Sequence, residues 1–387
     1  MRIKDAMKKK RFLSGIIGIM TAAALLSGCA ASDTLSRDTG SSDASDISVL
    51  SNESGTPAVG ADGIARNTGR ALTIGFIQVG AESDWRMAST ASIENAFSSE
   101  NGYHLITNDA QQKQENEIKA IRELIDQDVD YILFSPITET GWESSLQEAK
   151  EAGIPVIMFD RTVNVADKSL YTAWIGSDFL LEGRRACAWL KAWCDLNNVT
   201  GNVNIVDIQG TIDSSAQIGR TKALKEAVQA NGNWKLLGAE SGDFTSAKGQ
   251  EVMEEMLDQY GSEINVVYCE NDNEAYGAIT AIRESGRKIG NDITGGEIMI
   301  LSFDSTKEGM TDTLNGLISV NTECNPLYGP ILTQMVQKLE KGEELTHETF
   351  IDEDQFSALP DIAEVMAGGV TYPVINLTQA VLDNRKY

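Results

Sequence analysis

Short apolar runs alternate with helix-period segments from residue 71 almost to the end of this 387-residue chain. The apolar runs cover residues 72–78, 103–107, 131–135, 155–159, 173–176, 203–208, 234–238, 266–269, 299–303 and 318–321. Between them, segments such as 115–128 and 247–260 repeat apolar residues every three to four positions, which predicts amphipathic helices. This β-α-β rhythm predicts parallel sheets covered by helices on both faces. Because ten strands are too many for one ordinary parallel sheet, we expect an α/β fold with two doubly wound lobes.

The first 28 residues have the pattern of an export signal. Six basic residues between Arg2 and Arg11 precede residues 12–26, which contain no charge and form too short a run for a comfortable transmembrane helix. The segment Leu26-Ser27-Gly28-Cys29 resembles the lipobox of bacterial lipoproteins. That resemblance implies cleavage before Cys29 and lipidation of its thiol.

Residues 29–70 are predicted to form a disordered tether. After Cys29 the segment is rich in Ser, Asp, Gly, Thr and Asn and has no aromatic residue, so it cannot bury enough apolar surface to offset the entropy of ordering. We therefore expect the folded part to begin near Ala71, held outside the cytoplasm on the cell membrane. The length of the tether favours the outer face of a single-membrane bacterium, with a periplasmic location as the alternative.

The charge balance excludes several classes of partner. The chain has 32 basic and 57 acidic residues, and without residues 1–28 it would keep 26 basic and 56 acidic residues, a net charge of −30. Such a surface repels phosphate groups, so we expect no nucleic acid partner and no polybasic membrane patch. The five cysteines include no CxxC pair, and no ligand spacing typical of a metal site occurs. We therefore expect neither a metal nor a cofactor.

The residues that follow the predicted strands are the candidate binding residues, because ligands of parallel sheets bind at the carboxyl ends of the strands. They are Ser83, Trp85, Arg86, Ser135, Asp160, Arg161, Phe244, Asn271, Asp304 and Glu323. Carboxylates, amides and guanidinium groups can satisfy sugar hydroxyls, which both donate and accept, and Trp85 or Phe244 could cover the apolar faces of a sugar. The alternative for Asp84, Asp178 and Asp304 is that each caps the following helix.

Four segments make the chain resemble the ribose-type (type I) periplasmic sugar-binding proteins of ABC importers, most closely the galactofuranose-binding branch. They are IGFIQVGAESDWR (74–86), NDAQQKQENEIKAIR (108–122), FSPITETGWE (134–143) and SGDFTSAKGQEVME (241–254). The resemblance implies two lobes joined by three crossing segments. One lobe would comprise residues 71–176 and about 324–348, and the other 177–323 and about 349–387. It also implies a monomer that delivers a monosaccharide to an ABC permease and its ATPase.

The same resemblance implies roles for individual residues. Asp160 and Arg161 would hold sugar hydroxyls from the first lobe, and Phe244, Asn271 and Asp304 would contact the sugar from the second. Trp85 replaces a phenylalanine of the family, and Glu323 replaces a glutamine. Ribose-type proteins carry an arginine at the helix start of the second lobe where this chain has Ile218, so we interpret Arg220 as structural and expect Arg86 to supply the guanidinium. This difference disfavours ribose and favours galactofuranose or a related galactose or arabinose form.

Other functions need to be weighed against sugar capture. Paired carboxylates could serve a secreted glycosidase, but the chain has only two histidines, His104 and His347, and no motif of a known catalytic class, so we expect no enzyme. A LacI-type repressor shares the fold, but an export signal and an acidic tether exclude it. A receptor that presents its sugar to a membrane sensor kinase remains open.

Overall fold

The structure, a computed structural model, describes residues 70–387 and the backbone of a two-residue strand, β1 (Val49–Leu50). The predicted signal peptide, Cys29 and the remainder of the predicted tether lie outside the described residues. Within the part of the chain that is described, no helix combines the length and the apolar character needed to cross a bilayer.

The first lobe is built on a seven-stranded sheet. Its strands are β1, β2 (Leu72–Gln78), β3 (Tyr103–Asp109), β4 (Tyr131–Phe134), β5 (Val156–Phe159), β6 (Ala173–Gly176) and β12 (Glu348–Ile351), in the order β1-β12-β6-β5-β4-β2-β3. All pairs are parallel except β1 with β12. The helices of this lobe are α1 (Asp84–Ala96), α2 (Gln114–Asp126), α3 (Glu143–Glu151) and α9 (Gly329–Glu340).

The second lobe repeats this plan on a second seven-stranded sheet. It contains β7 (Val203–Gln209), β8 (Trp234–Ser241), β9 (Val266–Cys269), β10 (Met299–Asp304), β11 (Val320–Glu323), β13 (Gln355–Ser357) and β16 (Ile375–Asn376), in the order β16-β13-β11-β10-β9-β7-β8. Its helices are α4 (Phe179–Leu196), α5 (Ser215–Ala230), α6 (Ser246–Tyr260), α7 (Asp272–Glu284), α8 (Lys307–Leu314) and α10 (Gln379–Asp383). A separate hairpin pairs β14 (Glu364–Ala367) with β15 (Val370–Pro373).

Each sheet has a hydrophobic core on both faces. In the first sheet, Leu133 and Ile157 belong to one core, whereas their chain neighbours Phe134 and Met158 belong to the other. Strands buried on both faces must be apolar throughout, which explains why they appear in the sequence as continuous apolar runs. The fold is the predicted one, two doubly wound α/β lobes.

The chain passes between the sheets three times, at residues 177–178, 324–328 and 352–354. The third passage differs from the prediction, which placed the lobe boundary near residue 348. Residues Glu348–Ile351 form β12 of the first sheet instead, where Glu348 pairs with Trp174 and Phe350 with Gly176. The ring of Phe350 packs edge-on against Trp174 at 5.2 Å between ring centres, a contact that holds this strand on the first lobe.

All ten predicted strands are present, although β11 begins two residues later than expected, at Val320. The strands missed by the sequence analysis are the short ones from β12 onwards, together with β1. β12 and β14 alternate exposed and buried residues over only four positions, and such short runs give little signal in a sequence.

Candidate functional site

A cavity lies where the two lobes face each other. Its lining residues are Glu82, Ser83, Trp85, Arg86, Asp160, Arg161, Phe179, Ala216, Arg220, Phe244, Asn271, Asp304 and Cys324. Eight of the ten predicted binding residues are among them, and Ser135 and Glu323 are not. The carboxyl ends of strands from both sheets therefore meet at one site, as expected for parallel sheets.

Arg86 is the centre of a buried ion-pair network in the first lobe. Helix α1 begins after Ser83, whose hydroxyl accepts a hydrogen bond from the backbone N–H of Arg86 at 3.1 Å. The Arg86 side chain donates from Nε to Glu82 Oε1 at 3.0 Å and from Nη1 to Asp160 Oδ2 at 2.9 Å. Burial acts to lower the pKa of Arg86, but the charges of Asp160 and Glu82 outweigh it and raise the pKa, so the guanidinium is fully charged.

Asp160 is fixed in an unusual backbone conformation directly after β5. Its φ of 62° lies in the left-handed region, and Trp174 Nε1 donates to its carbonyl oxygen at 3.2 Å. Ser135 Oγ donates to Asp160 Oδ2 at 2.8 Å, so the predicted binding residue Ser135 lies behind the cavity and orients Asp160. A non-glycine residue with a left-handed backbone is strained, and such residues are concentrated at positions that contact ligands.

Glu82 and Arg161 complete the first-lobe wall. Arg161 Nη2 lies 4.0 Å from Glu82 Oε1, and its Nη1 donates to the carbonyl oxygen of Ile137 at 3.4 Å. Burial, followed by the nearby charge of Arg86, lowers the pKa of Arg161. Glu82 Oε2 is buried and has no hydrogen-bond partner among the described residues, so this oxygen can accept a hydrogen bond from a bound molecule.

Arg220 supplies the second-lobe wall with a guanidinium. It contacts Glu182 Oε2 at 2.8 Å and Asp304 Oδ1 at 3.5 Å through Nη2, and its guanidinium carbon lies 4.7 Å from the ring centre of Phe303. Burial acts to lower the pKa of Arg220, but the charges of Glu182 and Asp304 outweigh it and raise this pKa overall. Arg220, which the sequence analysis interpreted as structural, thus also lines the cavity, whereas Ile218 lies outside it and is 38% exposed.

Three further second-lobe residues line the cavity as predicted. Asn271 caps α7 by accepting from the backbone N–H of Glu274 at 2.8 Å, and its Nδ2 donates to the carbonyl oxygen of Phe244 at 3.1 Å. Phe244 and Asp304 both have left-handed backbones, with φ of 59° and 93°. Burial raises the pKa of Asp304 well above its usual range, with Arg220 acting in the opposite direction.

Glu323 does not line the cavity. Its Oε1 accepts from Arg385 Nη1 at 2.7 Å and from the Tyr387 hydroxyl at 2.8 Å, and its Oε2 accepts from the backbone N–H of Asp354 at 2.9 Å. Since both carboxylate oxygens are engaged, the predicted role of Glu323 as a binding residue is not supported by its position.

The capping alternative applies to one of the three aspartates considered. Asp178 caps α4, because its Oδ1 accepts from the backbone N–H of Leu181 at 2.9 Å. At α1 the cap is Ser83 rather than Asp84, and at α8 it is Thr306 rather than Asp304. Asp304 is therefore free of a capping role, in agreement with its place in the cavity wall.

Two hydrogen bonds join the lobes next to residues of the cavity wall. Asp84 N donates to Asn273 Oδ1 at 3.1 Å, and Thr162 N donates to Ser215 Oγ at 3.1 Å. Arg86, Asp160, Arg161, Asn271 and Asp304 are each less than 5% exposed. These side chains are therefore shielded from solvent in this arrangement of the lobes, and we refer to the three passages between the sheets as the hinge.

One group among the described residues has the composition of a cation site. Glu182, Cys324 and Glu353 bring ligand atoms within 4.8 Å of one another. Glu353 Oε1, however, already accepts from Ser177 Oγ at 2.8 Å and from the backbone N–H of Asn325 at 2.7 Å, while Arg220 pairs with Glu182. We therefore assign this group to the hinge, where residues of all three passages meet.

Residues 74–344 match the periplasmic binding protein domain. The chain belongs to this family. The galactofuranose-binding protein YtfQ of Escherichia coli (strain K12) is 40% identical to this binding protein over 275 residues, which cover 70% of this chain and 83% of that one. The matching family and the relatives found for this chain are binding proteins rather than enzymes. This agrees with the expectation that the chain catalyses no reaction.

Two solved structures share the fold of this binding protein. A protein from Mycobacterium smegmatis in complex with β-D-fucofuranose has a TM-score of 0.70 and 41% identity, over 75% of this chain and 95% of that one. The binding component of an arabinose ABC transporter from Shewanella sp. ANA-3, bound to α- and β-L-arabinofuranose, has a TM-score of 0.68 and 36% identity, over 74% and 91% of the two chains. Both carry a five-membered sugar ring.

The sequence analysis missed five residues in the cavity wall of the binding protein, namely Glu82, Phe179, Ala216, Arg220 and Cys324. Glu82 offered a usable signal, since it stands in the segment after β2 that holds three predicted residues. Phe179 and Ala216 lie at the starts of α4 and α5, and their positions follow from where those helices begin. Nothing in the local sequence distinguishes them.

Proposed function

We propose that this protein is the substrate-binding component of an ABC sugar importer and captures a monosaccharide by closure of its two lobes. The sugar is galactofuranose or a related galactose or arabinose form. The protein is a monomer held on the outer face of the cell membrane by a lipid on Cys29, and it presents the closed complex to the permease and ATPase subunits.

The observation that carries this proposal is that both lobes line the cavity with guanidinium and carboxylate groups and with aromatic rings. The first lobe contributes Arg86, Asp160 and Arg161, and the second contributes Arg220 and Asp304. Each guanidinium has a carboxylate neighbour in the cavity wall, Asp160 for Arg86, Glu82 for Arg161 and Asp304 for Arg220. The remaining donor and acceptor positions of these groups can serve neutral hydroxyl groups. This pattern suits a neutral polyol better than an anion or a cation.

The aromatic side chains support a sugar as the polyol. Trp85 lines the cavity from the first lobe and Phe179 and Phe244 line it from the second, and aromatic rings cover the C–H faces of a sugar ring. Trp85 is itself anchored, because its Nε1 donates to the carbonyl oxygen of Cys324 at 2.6 Å. The preference for a furanose rests on the relatives, since those with 36–41% identity are named for or bound to furanose sugars.

Closure follows from the same geometry. A sugar that bridges the two walls binds the closed form more tightly than the open form, and this difference in affinity shifts the population toward closure. The permease then distinguishes loaded from empty protein by shape.

The test is a thermal-shift screen of residues 71–387 against galactofuranose, galactose, arabinose, ribose, xylose, glucose and fructose. A ligand at one hundred times its Kd stabilises the protein by about 2.7 kcal/mol, which produces a measurable rise in Tm. We expect a rise with galactofuranose or with a galactose or arabinose form, and none with ribose. If none of these sugars raises the Tm of the folded, ligand-free protein, the assignment to sugars fails.

A further inference from the structure

The segment after α10 lies against the loop that carries Asp304. Arg385 Nε donates to the carbonyl oxygen of Ser305 at 2.6 Å, and Arg385 Nη2 donates to the carbonyl oxygen of Asp304 at 3.4 Å. The backbone N–H of Lys307, the first residue of α8, donates to the carbonyl oxygen of Tyr387 at 2.6 Å. Three positions within residues 304–307 are thus held by two residues that are some 80 positions away in the chain.

This loop needs an external support because of its backbone. Asp304 and Ser305 are consecutive non-glycine residues with φ of 93° and 52°, a conformation that side chains with a Cβ disfavour. Such a conformation persists only where the surrounding structure enforces it. Asn321 provides one support, since its Oδ1 accepts from the backbone N–H of Ser305 at 3.0 Å. Arg385 provides the second support, because it donates hydrogen bonds to the carbonyl oxygens of Asp304 and Ser305.

Arg385 is itself fixed from several directions. Its Nη1 donates to Glu323 Oε1 at 2.7 Å, and its guanidinium carbon lies 4.0 Å from the ring centre of Tyr387 and 5.4 Å from that of Phe356. The Tyr387 hydroxyl donates to the same Glu323 oxygen at 2.8 Å. Glu323 is the last residue of β11, directly before the second passage between the lobes. The Arg385 guanidinium therefore links Glu323, next to the hinge, to the loop that carries Asp304.

We propose that Arg385 is a positioning residue for ligand binding, which aims the Asp304 carboxylate into the cavity by holding the carbonyl oxygens of residues 304 and 305 against Glu323 and Tyr387. It contacts no ligand. This inference rests on the proposed function, because it gives Asp304 the role of a sugar-binding group. It also gives Glu323 a function, as the anchor of Arg385 rather than as a binding residue.

The experiment compares Arg385→Ala, Arg385→Lys and Tyr387→Phe with the control Arg184→Ala in the mature protein. Arg184 is a matched control because it pairs with Glu226 at 2.9 Å on the same lobe, and neither residue lines the cavity. Lysine keeps the charge but cannot span Glu323 and two carbonyl oxygens at once. Tyr387→Phe removes a single hydroxyl, so this variant folds even if Arg385→Ala does not.

Two readouts separate this proposal from the proposed function. The first is hydrogen–deuterium exchange of residues 303–309 in the protein without sugar, which we expect to be faster in Arg385→Ala than in wild type and unchanged in Arg184→Ala. The second is the Kd for the sugar that stabilises the wild type, which we expect to rise about tenfold in Arg385→Ala, less in Tyr387→Phe, and not in Arg184→Ala. Arg385→Lys should resemble Arg385→Ala.

A structural role alone would lower the Tm of Arg385→Ala without changing the exchange rate of residues 303–309 relative to the rest of the lobe. That result, or a Kd equal to that of the wild type, overturns the proposal. Combining Arg385→Ala with Asp304→Asn gives a further check, because the effect of Arg385→Ala on Kd should vanish once the carboxylate is removed. If the wild type binds no sugar, the proposed function fails, and the exchange experiment still decides whether Arg385 holds the loop.

Discussion

The guanidinium carbon of Arg161 in the first lobe lies 5.1 Å from the centre of the Phe244 ring in the second lobe. Both side chains are buried, and each lines the cavity. A cation over an aromatic face is attracted more strongly when water is excluded, so this contact favours the closed arrangement of the lobes. It also places an aromatic ring and a hydrogen-bond donor next to one another, as a sugar ring with hydroxyl groups requires.

The first prediction concerns this ring. Phe244→Leu keeps an apolar side chain but removes the aromatic face, and we expect the Kd for the sugar to rise about fivefold to thirtyfold because a desolvated cation–π contact contributes about 1–2 kcal/mol. Isothermal titration calorimetry measures the change. An unchanged Kd in a folded variant would mean that Phe244 neither contacts the ligand nor stabilises the closed form.

The second prediction uses Gly210, which lies beneath Phe244. A Cβ at Gly210 would be 1.9 Å from Phe244 Cζ, so Gly210→Ala must push the ring out of its position. We expect a loss of affinity at least as large as that of Phe244→Leu. The control is Gly201→Ala, whose Cβ would have no atom within 4 Å and should leave binding unchanged. Equal affinities for the two variants would contradict the placement of the ring.

The third prediction is a pH dependence of stability from Glu117, a completely buried residue of α2 behind the first-lobe wall. Its Oε2 accepts from the backbone N–H of Ile137 at 3.0 Å, and burial raises its pKa to about 8. Because the folded pKa lies above the usual value of 4.5, folding favours the protonated form. The stabilising contribution is therefore complete below about pH 4.5 and is lost as the pH rises toward 8.

Glu117→Gln should make the Tm less sensitive to pH between 5 and 8, with the largest gain relative to wild type at pH 8. Some dependence should remain, because burial also raises the pKa of Glu270 to about 8. Glu115→Gln, an exposed position on the same helix, is the control and should preserve the wild-type profile. The measurement is the Tm from calorimetric scans at pH 5, 6, 7 and 8. If the Tm of Glu117→Gln and of the wild type changed with pH in the same way, Glu117 would not be protonated on folding.

The sequence was sufficient to predict the two lobes and most of the cavity wall for a physical reason. Strands buried on both faces must be continuously apolar, as in β4 and β5, so they stand out from the helices between them. Residues after such strands lie at the carboxyl edge of their own sheet, which is why Asp160 could be placed at the edge of the first sheet and Asn271 at the edge of the second. The resemblance to the sugar-binding family then implied that the two edges form one site.

The residues that could not be predicted depend on contacts between distant parts of the chain. Arg220 lines the cavity because α5 begins at Ser215 and places Arg220, rather than Ile218, on the side of the helix that faces the cavity. Glu323 follows a strand like the true lining residues, yet it is engaged by Arg385 and Tyr387. A local sequence pattern cannot predict a hydrogen-bond partner that lies more than 60 positions away in the chain.

The most direct test of the account is a calorimetric titration of wild type and Asp160→Asn with the sugar that gives the largest thermal shift. Asparagine tolerates the left-handed backbone at this position, so the substitution removes the charge that pairs with Arg86 at 2.9 Å without forcing the chain to move. We predict a single-site isotherm for wild type and a loss of at least thirtyfold in affinity for Asp160→Asn, with folding retained. Undiminished affinity in the folded variant would contradict the claim that a sugar binds between the lobes at Asp160.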